Sequence, residues 1–206
     1  MIYVDLDNTL IDSVGRYHKE LAAAERYGIS HDEYWLLYDV MNRRHGIGSF
    51  GYELFFQVIQ DHMPGVSDTL LAEWRAILET QHPFPDTYEF LSSFRRDELI
   101  LLTTGNPTQQ RKKVQVHSFE SYFSDIRIVG SPKCRHIEPP DGAIYIDDSP
   151  REIDEMKTVH PHVHCIIVRE TPPWERRQAV SHKKDKHCRD LIEARDHIKQ
   201  LSRPSE

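Results

Sequence analysis

The apolar positions of the chain fall into short runs divided by polar punctuation. Ile2-Tyr3-Val4 and Leu6 are strand-forming residues in close succession, which predicts a buried strand over 1–7. From 14 to 81 the period becomes helical. Four helices are predicted there, over 14–27, 31–43, 50–62 and 67–80, broken at Gly28, at Gly46-Ile47-Gly48 and at Pro64-Gly65. In the third, Leu54, Phe55, Val58 and Ile59 share one helical face. His82-Pro83-Phe84-Pro85 closes this block.

Strands and helices then alternate: helix 86–95, strand 98–103, helix 107–118, strand 126–129, strand 143–147, helix 150–159 and strand 163–168. A last helix, about 187–201, presents Leu191, Ile192, Ala194, Ile198 and Leu201. Such alternation implies a parallel sheet covered on both faces. The expected fold is α/β, a Rossmann-like parallel sheet core (1–13 and 83–206) with an inserted, mostly helical cap domain (14–82).

Composition narrows the function without naming it. A chain of 206 residues suits one full domain plus an insertion. A net charge of -7 argues against nucleic acid as a partner. No apolar run has the length of a membrane span, and the N-terminus lacks the basic-then-apolar pattern of a secretory leader. Three widely spaced cysteines suit free thiols in a reducing compartment. The expected location is cytoplasmic, away from membranes.

The chemistry gathers where strands end. In open parallel sheets functional groups collect beyond the carboxyl ends of strands. Here those ends carry Asp5-Leu6-Asp7-Asn8-Thr9, Thr103-Thr104-Gly105-Asn106 and Asp147-Asp148-Ser149-Pro150, with Lys133 in the loop after 126–129. Crowded carboxylates raise one another's pKa unless a cation sits among them. Oxygen-only ligands suit Mg²⁺, which commonly shares its shell with a substrate phosphate. Asp5 could then be a nucleophile, Asp7 an acid and base, and Thr103 and Lys133 the holders of the phosphoryl oxygens.

These motifs resemble the haloacid dehalogenase (HAD) superfamily, in its phosphatase branch with an inserted helical cap. "DLDNT" is similar to the family's DxDxT signature, "LILLTTGN" to its second motif and "IDDSPREI" to its acidic fourth motif. "FPDTYEFLSSF" resembles the helix that leads from cap back to core. The resemblance implies Asp5 as nucleophile and Mg²⁺ ligand, and Asp7 as acid/base with its backbone carbonyl on the metal. It implies Thr103 rather than Thr104 as the phosphate-binding hydroxyl, with Thr104 and Gly105 offering backbone N–H groups. Asp148 corresponds to the fourth-motif metal ligand, Asp147 is a second candidate, and Glu152 matches an acid that holds a metal-bound water. Lys133 fits the third motif by distance, although Ser131-Pro132-Lys133-Cys134 departs from the usual residue order.

The implied activity is Mg²⁺-dependent hydrolysis of a small phosphate monoester, a nucleotide or sugar phosphate among the candidates, through an aspartyl-phosphate. A phosphotransferase or mutase using the same intermediate is one alternative, and a non-catalytic binding or regulatory protein on the same fold is another. Dehalogenases of the superfamily lack the second acid of the first motif, since a leaving halide needs no proton, so Asp7 points to phosphatase.

Several features carry blander expectations. Asp-x-Asp alone is a common turn. Lys112 and Lys113, on a predicted helix, are expected in solvent. His160, His162 and His164 read as the surface entry to a strand, and the basic stretch Arg176 to Lys186 as a solvated loop. Trp174 is expected to pin that loop to the core. Tyr34, Trp35, Tyr38, Phe50, Tyr52, Phe55 and Phe56 are expected mainly in the cap interior, with one or two facing a substrate.

Overall fold

The structure, a computed structural model, describes residues 1–45, 51–66, 68–80, 82–169 and 183–201. Among them six strands form one sheet: β1 (Ile2–Val4), β2 (Leu99–Thr104), β3 (Asp125–Val129), β4 (Ile144–Asp147), β5 (His164–Val168) and β6 (Lys186–Cys188). Their order is β3-β2-β1-β4-β5-β6 and every pairing is parallel. Alternation along the strands explains how both faces are buried. Ile2, Val4, Leu99, Leu101, Ile144 and Ile146 join one apolar cluster, while Tyr3, Ile100, Leu102 and Tyr145 join another across the sheet.

Helices α5 (Thr87–Leu91), α6 (Pro107–Val116) and α8 (Leu191–Leu201) contribute Phe90, Val114 and Ile198 to the first cluster. Helix α7 (Pro150–Val159) contributes Ile153 and Met156 to the second. The remaining helices, α1 (Ser13–Arg26), α2 (His31–His45), α3 (Tyr52–His62) and α4 (Asp68–Glu79), lie between β1 and β2 in sequence. They enclose a third cluster of their own, with Met41, Val58, Ile59, Leu70 and Trp74 at its centre.

Three expectations need correction. The helix expected over 86–95 ends at Leu91, where Ser93 turns its hydroxyl back onto the Glu89 carbonyl. The last helix starts at Leu191, not near 187, because 186–188 form the edge strand β6. His160 is buried, its Nε2 meeting the Cys134 carbonyl oxygen at 2.9 Å. Phe50, the Gly46-Ile47-Gly48 break, Trp174, Arg176 and Arg177 lie outside the described residues. Among the described residues no helix is long and apolar enough to cross a membrane.

Candidate active site

The first strand ends just where its acids begin. Asp5 still donates its N–H to the Ile146 carbonyl, after which the chain curls so that Leu10 and Ile11 both donate to the Leu6 carbonyl. Asn8 takes the left-handed conformation this curl needs (φ 58°), and its side chain accepts from Val14 N at the start of α1. Asp5 and Asp7 are thus held at the sheet rim, beside the central strand where the strand order reverses. In open α/β sheets that crevice is the ligand site.

Asp5, Asp147 and Asp148 converge there, with ligand oxygens all within 4.8 Å of one another and all three residues buried. Lys133, 2% exposed, reaches between two of them, with Nζ 2.5 Å from Asp5 Oδ1 and 2.6 Å from Asp147 Oδ2. Asp147 Oδ2 also accepts from the Tyr145 hydroxyl, and its Oδ1 from Ser149 N at 2.8 Å. Glu152 fixes the lysine loop, accepting from Ser131 Oγ and from Lys133 N.

Burial pushes the Asp5 carboxyl up to about 7; Lys133 opposes the shift and Asp147 adds to it. For the Lys133 ammonium burial acts the other way, yet Asp147 and Asp5 outweigh it and raise its pKa. Three buried carboxyl groups thus crowd around one ammonium, and the donors are all oxygens. A divalent hard cation such as Mg²⁺ fits that set.

Asp7 lies outside this cluster. Its carboxylate accepts from Ser13 Oγ (2.5 Å), Gln110 Nε2 (2.8 Å) and Lys113 Nζ (2.7 and 2.9 Å). Burial would raise its pKa, but Lys113, Ser13 and Gln110 together hold it well below the usual carboxylate range. Lys113, expected in solvent, is instead a half-buried partner, its ammonium pulled down by desolvation and by Arg16 more than Asp7 lifts it. Gln110 also donates to Thr103 Oγ1 (3.2 Å) and to the Thr104 carbonyl (2.6 Å), so it ties the second motif to Asp7. Gly105 follows at φ 124°, a conformation L side chains rarely adopt.

Every residue expected at the site therefore stands at one rim, in two subsets. Asp5, Lys133, Asp147 and Asp148 form the acidic cluster, while Asp7, Thr103, Thr104 and Gly105 surround Gln110. Ser13, Gln110, Lys113 and Tyr145 were missed. One signal was available: α6 carries little apolar surface besides Val114, so its buried face extends to Gln110, four residues earlier, with Lys113 three residues beyond Gln110 along the neighbouring ridge. Among the described residues the alternating histidines form no metal group with Cys165. His162 meets the Pro139 carbonyl, and His164 pairs with His197 on α8 at 2.9 Å.

No family model matches the sequence, and no curated protein matches it. Solved structures do. A protein from Burkholderia xenovorans LB400, described as a haloacid dehalogenase-like hydrolase, superposes with a TM-score of 0.73 at 16% identity, covering 98% of both chains. The chain has the haloacid dehalogenase-like fold. The L-2-haloacid dehalogenase from Xanthobacter autotrophicus shares it at a TM-score of 0.64 and 13% identity, covering 97% of this chain and 98% of that one. So does the HAD-hydrolase YfnB from Bacillus subtilis bound to magnesium, at 0.60 and 16%, covering 96% and 97%. At such identities the HAD-like architecture is what is shared, and the chemistry has to be argued from this chain's own side chains.

Proposed function

We propose that the chain is a Mg²⁺-dependent hydrolase of phosphate monoesters, with α1–α4 as the cap over its site. The observation that carries this reading is the convergence of three buried carboxylates on Lys133, with a second acid, Asp7, two residues after the first. When bound, Mg²⁺ would neutralise Asp5 and Asp148 and the incoming phosphate oxygens.

The chain's own groups supply the rest. The Asp5 oxygen that Lys133 does not hold attacks phosphorus, and the bond from phosphorus to the ester oxygen breaks. Lys133 holds Asp5 in line, and the Thr103 hydroxyl with the Thr104 and Gly105 amides is placed to receive the phosphoryl oxygens. Asp7 stands ionised in this resting arrangement, so the proton it passes to the leaving oxygen arrives with the substrate, whose phosphate has a second pKa of about 6. In the second half-reaction Asp7 takes a proton from water as that water attacks phosphorus, the bond from phosphorus to Asp5 breaks, and the proton leaves with the phosphate product, which returns Asp7 to its ionised state.

A second reading has support from the structural likenesses. L-2-haloacid dehalogenases share the fold, one of them solved with chloropropionic acid covalently bound. There, an attack by Asp5 on carbon would expel halide, and neither Asp7 nor a metal would be needed. The assay that separates the two offers acetyl phosphate, methyl phosphate and para-nitrophenyl phosphate with and without Mg²⁺, and 2-chloropropionate in parallel. Phosphate release that needs Mg²⁺ and disappears in Asp5→Asn supports the phosphatase. Halide release without metal, or no phosphate release from a broad panel of esters, overturns it.

A further inference from the structure

One pocket outside the acidic cluster is built for a flat ligand. Ser13, which bonds Asp7, is the first residue of α1. Arg16 and Tyr17 follow three and four positions later, on the same helical face. Tyr34, Trp35 and Tyr38 of α2 stand opposite, and the five side chains line a cavity of about 80 Å³. Tyr34 is its buried floor, its hydroxyl donating to Glu20 at 2.6 Å. Tyr17, Trp35 and Tyr38 are half-buried walls, with ring centroids 5.5 Å apart for Tyr17 and Trp35 and 5.7 Å for Trp35 and Tyr38.

The walls are held in place. The Trp35 indole N–H can only donate, so His31 Nε2, 2.8 Å away, is its acceptor, and the Tyr17 hydroxyl meets the same nitrogen at 3.0 Å. Arg16 brings a guanidinium into the ring cluster, 3.4 Å from Glu20. The pocket also lies within electrostatic reach of the site: Asp7 contributes to the raised pKa of Tyr38, and Arg16 to the lowered pKa of Lys113.

We infer that this pocket receives the leaving group, and that the preferred substrates are phosphate esters of a planar aromatic or heteroaromatic group. The inference rests on the phosphatase reading above and gives it a substrate class. A ring here stacks or meets edge-on with Tyr17, Trp35 and Tyr38, while the Arg16 guanidinium adds a cation–π contact. The ester oxygen of such a ligand is then on the side of Asp7, the group that exchanges its proton.

Binding can be read without turnover, because phosphonates keep a carbon–phosphorus bond that the site cannot hydrolyse. Calorimetry in Mg²⁺ compares benzylphosphonate with methylphosphonate on the wild-type chain, on Trp35→Leu and on Tyr38→Leu. The wild type is expected to prefer benzylphosphonate by about tenfold, and each variant to lose most of that preference. The kcat/KM ratio of phenyl phosphate to methyl phosphate should move in step. Equal binding of the two phosphonates by the wild type overturns the inference, as does a preference that both variants retain. The two readings fail separately. Selective phosphonate binding without ester hydrolysis keeps the pocket and removes the phosphatase, while equal hydrolysis of both esters with equal binding does the reverse.

Discussion

Two lysines approach three aspartates at this rim, and their surroundings differ enough to predict different consequences. Lys133 and its partners Asp5 and Asp147 expose 3%, 6% and 1% of their side chains, whereas Lys113 and Asp7 expose 14% and 30%. Removing one member of a buried ion pair strands the other charge, at a cost of about 3–5 kcal/mol. Lys133→Met should therefore lower the unfolding free energy from urea titration by an amount in that range, and Lys113→Met by clearly less, since water reaches Asp7. Equal losses would mean that the buried lysine is not the one the carboxylates depend on. Asp5, Asp7, Thr103 and Lys133 were legible in the sequence because strand ends in a parallel sheet are a fixed address. Lys113 and Gln110 were not, because a polar residue on a helix reads as solvated until the structure shows what its face covers. Tyr145 was hidden by its strand, where an aromatic reads as core and its hydroxyl on Asp147 does not show.

Elements carry these residues, and their ends decide how firmly. Helix α6 is capped by Asn106, whose side chain accepts from Thr108 N at 3.0 Å and Gln109 N at 3.3 Å. Replacing such a cap by alanine costs about 1 kcal/mol. Asn106→Ala should show that loss in its unfolding free energy from urea titration. It should also release Gln110 and Lys113 enough to lower kcat on phosphate esters, while Ser149→Ala at the start of α7 does not touch Asp7. The contact between β5 and α8 makes a pH prediction. Burial lowers the pKa of both His164 and His197 from 6.5, so the unfolded chain takes up these protons first as the pH falls. Stability from this pair is present above about pH 6.5 and is lost as the pH drops below it. Asp185, lowered by Lys157 and by the Cys165 N–H in spite of burial, adds a loss in the same direction below 3.8. Melting of the His164→Gln/His197→Gln variant should depend less steeply on pH between 7 and 5 than that of the wild type. At this scale most elements were readable from apolar period alone. The exception is β6, three residues with only Cys188 buried, whose place is set by pairing with β5.

At the scale of the whole molecule, the two apolar clusters of the sheet are separate from the one inside α1–α4, and the chain passes between them twice, side by side. Asp12 N donates to the His82 carbonyl and Phe84 N to the Leu10 carbonyl, so both crossings share one narrow seam. Lys112 and Glu79 also link α6 to α4 at 3.2 Å, but both side chains are more than half exposed, and such pairs contribute little. A ligand at the acidic cluster should therefore stabilise the sheet without stiffening the helical block. The cluster gathers three buried carboxyl groups around one ammonium, and Mg²⁺ would add cationic charge there in the folded chain alone. Selective binding of this kind adds about 2.7 kcal/mol when the metal stands at a hundred times its dissociation constant. The wild type should accordingly melt higher in millimolar Mg²⁺ than in EDTA, and Asp148→Asn should lose most of that rise. Hydrogen exchange should slow at the amides of β1 and β4 and stay unchanged in α2 and α3. A melting temperature indifferent to Mg²⁺ would remove the metal from the site. Protection spreading into α2 without substrate would show instead that the seam couples the two cores more tightly than its few backbone bonds suggest.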